Sequence, residues 1–153
     1  MSSTSNLPII VIGAGPVGLA AAAHLVDRGE KPMVLEAGDG PGHSVSTWGH
    51  VQLFSPWRFS LDMVSLRMLQ ESGWTSPHPD ELPTGNDLVE RYLQPLAELP
   101  QIKPHVHYGT KVISVGRKYR DKMKDVDRNG QPFMVTTVNR EGERVRHLAR
   151  AVI

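Results

Sequence analysis

An α/β fold centred on a parallel sheet, with a β-meander towards the C-terminal end, is what this sequence predicts. Three observations predict it. The β-branched run "IIVI" at Ile9 to Ile12 gives way at once to glycines and then to an alanine-rich segment. A second apolar run, "PMVLE" at Pro32 to Glu36, follows that segment. Late in the chain, "PFMVTTVNREGERVRHLARAVI" alternates in polarity and is broken at Glu141-Gly142.

The first element is a strand over Pro8 to Ile12. Its apolar residues are uninterrupted, the pattern of a parallel strand buried on both faces. "GAGPVG" then spaces Gly13, Gly15 and Gly18 as GxGxxG. Gly13 permits the tight turn out of the strand, Gly15 lets the backbone approach a pyrophosphate, and Gly18 lets the following helix pack on the sheet. That helix, "VGLAAAAHLVDRG", is predicted to turn Val17, Ala21 and Leu25 towards the core and to stop at Gly29. Its free N–H groups and the positive end of its dipole would face phosphate. The second strand ends on Glu36, 18 residues beyond Gly18, where a carboxylate accepts hydrogen bonds from both hydroxyls of a ribose. Strand, glycines, helix, strand and acid together make a Rossmann-like dinucleotide-binding unit.

The acid also bears on which nucleotide binds. A carboxylate at Glu36 repels a 2′-phosphate, and no arginine follows it in "LEAGDGPG", which disfavours NADP at this site and leaves FAD and NAD. From Gly38 to Asp62 the chain runs through a long glycine-, serine- and aromatic-rich connection holding Trp48, Phe54, Trp57 and Phe59. Loops of this length are uncommon in compact domains unless they bind something. The aromatics read either as core packing beneath the loop or as a wall beside a flat, partly apolar flavin ring.

Two helices follow. "SLDMVSLRMLQESG" places Leu61, Val64, Met68 and Leu69 on one side and ends at Gly73. "TGNDLVERYLQPLAELP" carries Leu88, Val89, Tyr92, Leu93, Leu96 and Leu99 at helical spacing, with a kink at Pro95, whose ring removes the bond back to Arg91. Next comes a strand, "HVHYGTKVISV", and beyond a charged insert the alternating segment reads as a hairpin or meander. His105 and His107 share a face of that strand, but no third ligand is suitably spaced, so no metal site is expected.

"VIGAGPVGLAAAAHL", "VLEAGDGPG", "WGHVQLFSPW" and "LPTGNDLVERYLQPLA" together resemble the N-terminal part of FAD-dependent oxidoreductases of the flavin-containing monooxygenase type, in a bacterial flavoprotein branch. The resemblance covers nearly the whole chain. It implies a Rossmann-like FAD-binding domain over residues 1–153, with an NADPH-binding domain beyond residue 153. It implies that Gly13, Gly15 and Gly18 hold the FAD pyrophosphate, that Glu36 meets the adenosine ribose, and that Pro16, Val17 and Ala37 beside them also bind the cofactor. Trp48 would lie near the flavin, and Val112 would present its backbone to the adenine edge. The family's "GGxW"-like turn is not intact here, because His43 follows Gly42 and the tryptophan comes later. The implied activity is reduction of FAD by NADPH, then oxygen transfer to a small-molecule substrate through a flavin hydroperoxide. A flavin dehydrogenase without oxygen transfer and a non-catalytic dinucleotide-binding sensor are the alternatives. The cofactor carries this reaction, so no catalytic side chain is assigned. Asp62, Ser55 and Arg58, which follow the aromatic loop, could approach the ring, and each is also suited to a capping or surface role.

The chain ends at "ARAVI" in a rising apolar strand, where the family continues into a glycine-containing turn, and no second glycine fingerprint follows Gly18. The 153 residues are therefore expected to be an incomplete, inactive piece that binds FAD weakly or not at all by itself. Composition narrows the remaining classes. With 39% hydrophobic residues, 22% charged residues and a net charge of +1, the chain matches one ordinary globular domain. Its densest basic stretch, "GRKYRDKMKD" at Gly116 to Asp125, is interrupted by aspartates and reads as a solvated loop, so no nucleic-acid partner is expected. The absence of cysteine removes disulfides, thiolate metal sites and a redox pair soon after the second strand. "MSSTSNLP" lacks a basic, then apolar, leader, and the glycines break the segment after it, so the expectation is a cytoplasmic protein with no membrane partner. A homo-oligomer remains compatible with these features.

Overall fold

The computed structural model describes residues 4–118 and 130–153. Four short strands form an all-parallel sheet in the order β3-β2-β1-β7: β1 is Ile9–Ile12, β2 Met33–Leu35, β3 Val106–His107 and β7 Ala151–Val152. β1 lies at the centre, pairing Val11 with Val34 on one side and Ile10 with Val152 on the other. Ile10 and Val11 are buried there, as the uninterrupted apolar run requires. A separate antiparallel meander of β4 (Lys111–Arg117), β5 (Phe133–Val138) and β6 (Arg144–Ala149) packs its inner face on the parallel sheet through Val135 and Ala149 against Ile10 and Leu35. The turn between β5 and β6 falls at Glu141-Gly142, and the last apolar segment leaves the meander to join β1 as β7.

Helix α1 (Pro16–Asp27) crosses from β1 to β2, but its buried face differs from the expected one. Leu19, Ala22 and Ala23 are buried and Val17 is 79% exposed. The reason is Gly18, whose close approach to β1 sets the rotation of the helix. The stripe that enters the core then runs through Leu19, Ala22 and Ala23, with Ala21, Leu25 and Val26 partly buried against it.

Helix α3 (Met63–Glu71) packs on α1 and buries Met68 and Leu69, with Leu61 and Val64 partly buried against the same core. Asp62 caps it: one carboxylate oxygen accepts from the Ser65 N–H at 2.9 Å, and the other bonds the His24 ring at 2.9 Å. The next helix is interrupted rather than merely kinked. After α4 (Gly85–Leu88) the chain makes one π turn, Val89–Leu93, before α5 (Gln94–Glu98) begins with Pro95 in its first turn. Pro95 has no N–H to offer the Arg91 carbonyl, and the indole N–H of Trp74 donates to it instead at 2.9 Å.

Other expectations are corrected. The Gly38 to Asp62 connection contains a short helix, α2 (His43–Ser46), and one 3-10 turn at Trp57–Phe59. Its aromatics divide by role, with Trp57 fully buried in the core and Phe54 fully exposed. His105 ends a 3-10 turn, so only His107 lies in β3 and the two histidines share no strand face. Gly116 and Arg117 belong to β4 rather than to a loop, and residues 119–125 of the charged insert lie outside the described residues. Among the described residues no helix is long and apolar enough to cross a membrane.

Candidate functional site

The glycine fingerprint sits where β1 hands over to α1. Gly13 leaves the strand with φ +98°, a left-handed conformation that a side chain would oppose, and its N–H donates to the Leu35 carbonyl at 2.8 Å. At Gly18 a Cβ would overlap the Gly13 carbonyl oxygen, so helix and strand can approach this closely only without one. Gly15 differs, because a Cβ there would meet nothing within 4 Å. Its bareness serves an open space, which fits a ligand backbone approaching the chain. Gly15 is the N-cap of α1 and offers no side-chain cap, so the amides of the first turn have no intrahelical partner and point with the positive end of the dipole into that space.

Glu36 is held in place from both sides of its carboxylate. One oxygen accepts from the Ala14 N–H at 2.7 Å, and the other from the Gly38 N–H at 2.7 Å. Its backbone is pinned as well, since its N–H donates to the His107 carbonyl at 2.9 Å and its carbonyl accepts from Thr110 at 2.8 Å. A carboxylate has about four acceptor positions, so each oxygen keeps one free after these bonds. Those two positions suit a pair of adjacent hydroxyls.

Fingerprint and acid share one cavity of about 290 Å³, lined by Ile12, Gly13, Gly15, Pro16, Val17, Gly18, Glu36, Gly42, His43, Ser44 and Val45. Six of the expected residues are thereby brought together. Ala37 is exposed immediately beyond Glu36, outside the lining. Trp48 lies at the far end of α2, where a Cβ on Gly85 would stand 2.9 Å from its ring. Val112 is in β4, paired with Thr137 and packed in the seam between the two sheets. Neither lines the cavity.

Sequence reasoning did not assign residues 42–45 to the lining individually. Their signal was the crowding of Gly38, Gly40 and Gly42, and the structure gives two of these a reason. Gly42 takes φ +66° and donates its N–H to the Ala14 carbonyl at 2.9 Å, while a Cβ on Gly38 would overlap the His43 ring. The three polar residues after the aromatic loop stand elsewhere. Asp62 caps α3, Arg58 pairs with Asp80, and Ser55 is exposed.

A family model for FAD-dependent oxidoreductases matches residues 8–151. Among curated proteins, indole-3-pyruvate monooxygenase YUCCA1 of Oryza sativa subsp. japonica is 35% identical over 102 residues, covering 62% of this chain and 22% of its own length. Among solved structures, the bacillithiol disulfide reductase of Bacillus cereus superposes with a TM-score of 0.69 at 22% identity, over 95% of this chain and 38% of that one. OTEMO in complex with FAD and NADP superposes with a TM-score of 0.64 at 20% identity, over 96% and 24%. A 15-cis-phytoene desaturase of Narcissus pseudonarcissus is 43% identical over 43 residues, and the chain spans only 8% of that protein's length. These structural likenesses show the α/β fold of FAD-binding proteins.

Proposed function

Because the chain belongs to the family of FAD-dependent oxidoreductases, we propose that it is the FAD-binding part of an NADPH-dependent flavoprotein monooxygenase. The observation that carries the cofactor assignment is the doubly held Glu36 beside an open, uncapped helix N-terminus in one cavity. In this reading Gly13, Gly15, Pro16, Val17 and Gly18 receive the pyrophosphate on backbone amides, and Glu36 accepts from the ribose hydroxyls. Ala37 borders the ribose, Val112 turns its backbone towards the adenine, and Trp48 stands on the flavin side. When bound, FAD would supply the redox chemistry, two-electron transfer between NADPH and dioxygen. The net reaction consumes NADPH, a proton, O₂ and substrate, and yields NADP⁺, water and the oxygenated substrate.

Oxygen transfer is supported by the 35% identity to a monooxygenase over 102 residues. The NADPH-binding domain and the substrate pocket are assigned to sequence beyond residue 153, and the whole protein to the cytoplasm acting on a small molecule. The test is NADPH oxidation by the full-length protein under ¹⁸O₂, with a panel of soft nucleophiles and carbonyl compounds, read by product mass. One labelled oxygen per product supports the reading. NADPH turnover that only dehydrogenates the substrate, or tight FAD with no turnover at all, overturns it.

A further inference from the structure

We propose that the free edge of β6 is a docking site for an extended acidic segment of a partner protein, which pairs with it as a further antiparallel strand and sets an acid–apolar–acid sequence opposite Arg144, Val145 and Arg146. β6 ends the sheet order β4-β5-β6, and among the described residues no strand pairs with its other side. The hairpin decides which groups that edge presents. The Asn139 N–H donates to the Glu143 carbonyl at 3.0 Å, so by antiparallel alternation the hydrogen-bonded pairs that follow are Thr137 with Val145 and Val135 with His147. Arg144, Arg146 and Leu148 therefore turn their N–H and C=O groups outward, as strand addition requires.

The two faces beside this edge suit different side chains. Arg144 and Arg146 share the outer face, where Lys111 stands across Val138 in the same row as Arg144. All three are exposed, and among the described residues none has an ion-pair or hydrogen-bond partner. Arg144 and Arg146 line an open cavity of about 720 Å³ with Ile113, Ser114 and Thr136, which holds donors and no carboxylate. The nearest acids in sequence, Glu141 and Glu143, lie at the hairpin turn, and Glu143 is held by Asn139 at 2.8 Å. On the inner face Val145, 49% exposed, borders a separate cavity of about 200 Å³ with Met33 and Leu35. Polar neighbours there are engaged with one another or with backbone, Thr137 with the His147 ring at 3.0 Å and Thr110 with the Tyr108 carbonyl at 3.0 Å. Neither cavity shares a lining residue with the one that holds Glu36.

An added strand would lie about 4.8 Å from β6, with opposed side chains about 5 Å apart. Residues opposite Arg144 and Arg146 then project onto the cationic face, and the one between them projects towards the apolar recess. Two carboxylates flanking an apolar side chain satisfy both. A second copy of β6 does not, because pairing centred on Val145 sets arginine against arginine, and opposed like charges destabilise a sheet.

The test is fluorescence anisotropy of a labelled peptide of about nine residues, threonine throughout except for a central Glu-Leu-Glu, titrated with the full-length protein. Saturable binding is expected. Combining Arg144→Ala with Arg146→Ala removes two exposed ion pairs and should weaken it about fivefold. N-methylation of both glutamates removes the peptide donors that face β6 but keeps the charge, and should abolish binding. Lys-Leu-Lys in place of Glu-Leu-Glu should abolish it as well. Absence of saturable binding, undiminished binding of the N-methylated or the lysine peptide, or unchanged affinity in the double variant overturns the proposal.

Discussion

Two glycines three residues apart separate the structural from the ligand-binding duties of the fingerprint, and alanine at each makes the separation measurable. At Gly18 the new Cβ would overlap the Gly13 oxygen and stand 2.9 Å from the Gly13 carbon. Carbon atoms in favourable contact sit about 3.5–4.0 Å apart, so α1 must retreat from β1 by roughly 0.6–1.1 Å at the least. The obstacle is backbone, which cannot swing aside as a side-chain tip would. We therefore expect Gly18→Ala to lose about 3 kcal/mol, the upper end of overpacking. That is a large share of the roughly 5–15 kcal/mol that holds a domain folded. Gly15→Ala meets nothing within 4 Å and keeps an ordinary φ of −81°, so its stability should change by less than about 0.5 kcal/mol. Its Cβ nevertheless enters the open space proposed for the pyrophosphate and should weaken FAD about tenfold. Urea unfolding of the full-length protein with the slope checked for constancy, together with flavin fluorescence titration, reads both quantities. A Gly18→Ala protein as stable as the parent, or a Gly15→Ala protein less stable than Gly18→Ala, would refute this division.

Three further outcomes are expected. Glu36→Gln retains an acceptor for one of the two amides at 2.7 Å but turns an NH₂ towards the other, so it should cost about 1–3 kcal/mol in urea unfolding and weaken FAD as well. Asp62→Ala removes the α3 cap and the bond to His24, a loss of about 1–2 kcal/mol at neutral pH. Burial pushes the Asp62 carboxyl up, but hydrogen bonds from Ser65 and His24 outweigh it and hold the group below its ordinary 3.8. The folded chain thus binds fewer protons than the unfolded one, and this contribution is present above 3.8 and fades as pH falls through the folded value. His147 is likewise held below its ordinary 6.5, by burial first and then by His107. Its contribution is present above 6.5 and lost on acidification, so His147→Gln should flatten the fall in urea midpoint between about pH 7.5 and 5.5.

The parallel unit was legible because its requirements are local. "IIVI", three glycines and the acid after "MVL" each answer a backbone or charge constraint within a few residues, and all stand where those constraints place them. The rotation of α1 was not legible, because alanines give a weak apolar stripe and a contact with Gly13, five residues upstream of Gly18, decides the face. The π turn was hidden for a similar reason. Pro95 announces a break, but only Trp74, from a distant segment, shows how the orphaned Arg91 carbonyl is satisfied. In the cavity, the glycine side was readable and residues 42–45 were less so, since their place depends on how α2 seats against the helix behind it.

That seating ties the cofactor cavity to parts of the chain that never reach it. A Cβ on Gly42 would stand 2.8 Å from Leu93 and 2.9 Å from Val89, so the π turn presses directly on the N-cap of α2. Gly42 in turn donates to the Ala14 carbonyl, and the Ala14 N–H donates to Glu36. A π turn holds one residue more than an α turn of the same span, and here Val89 and Leu93 are the residues it presents to Gly42. The π turn behind α2 is thus linked, through Gly42 and Ala14, to the carboxylate that two backbone amides grip.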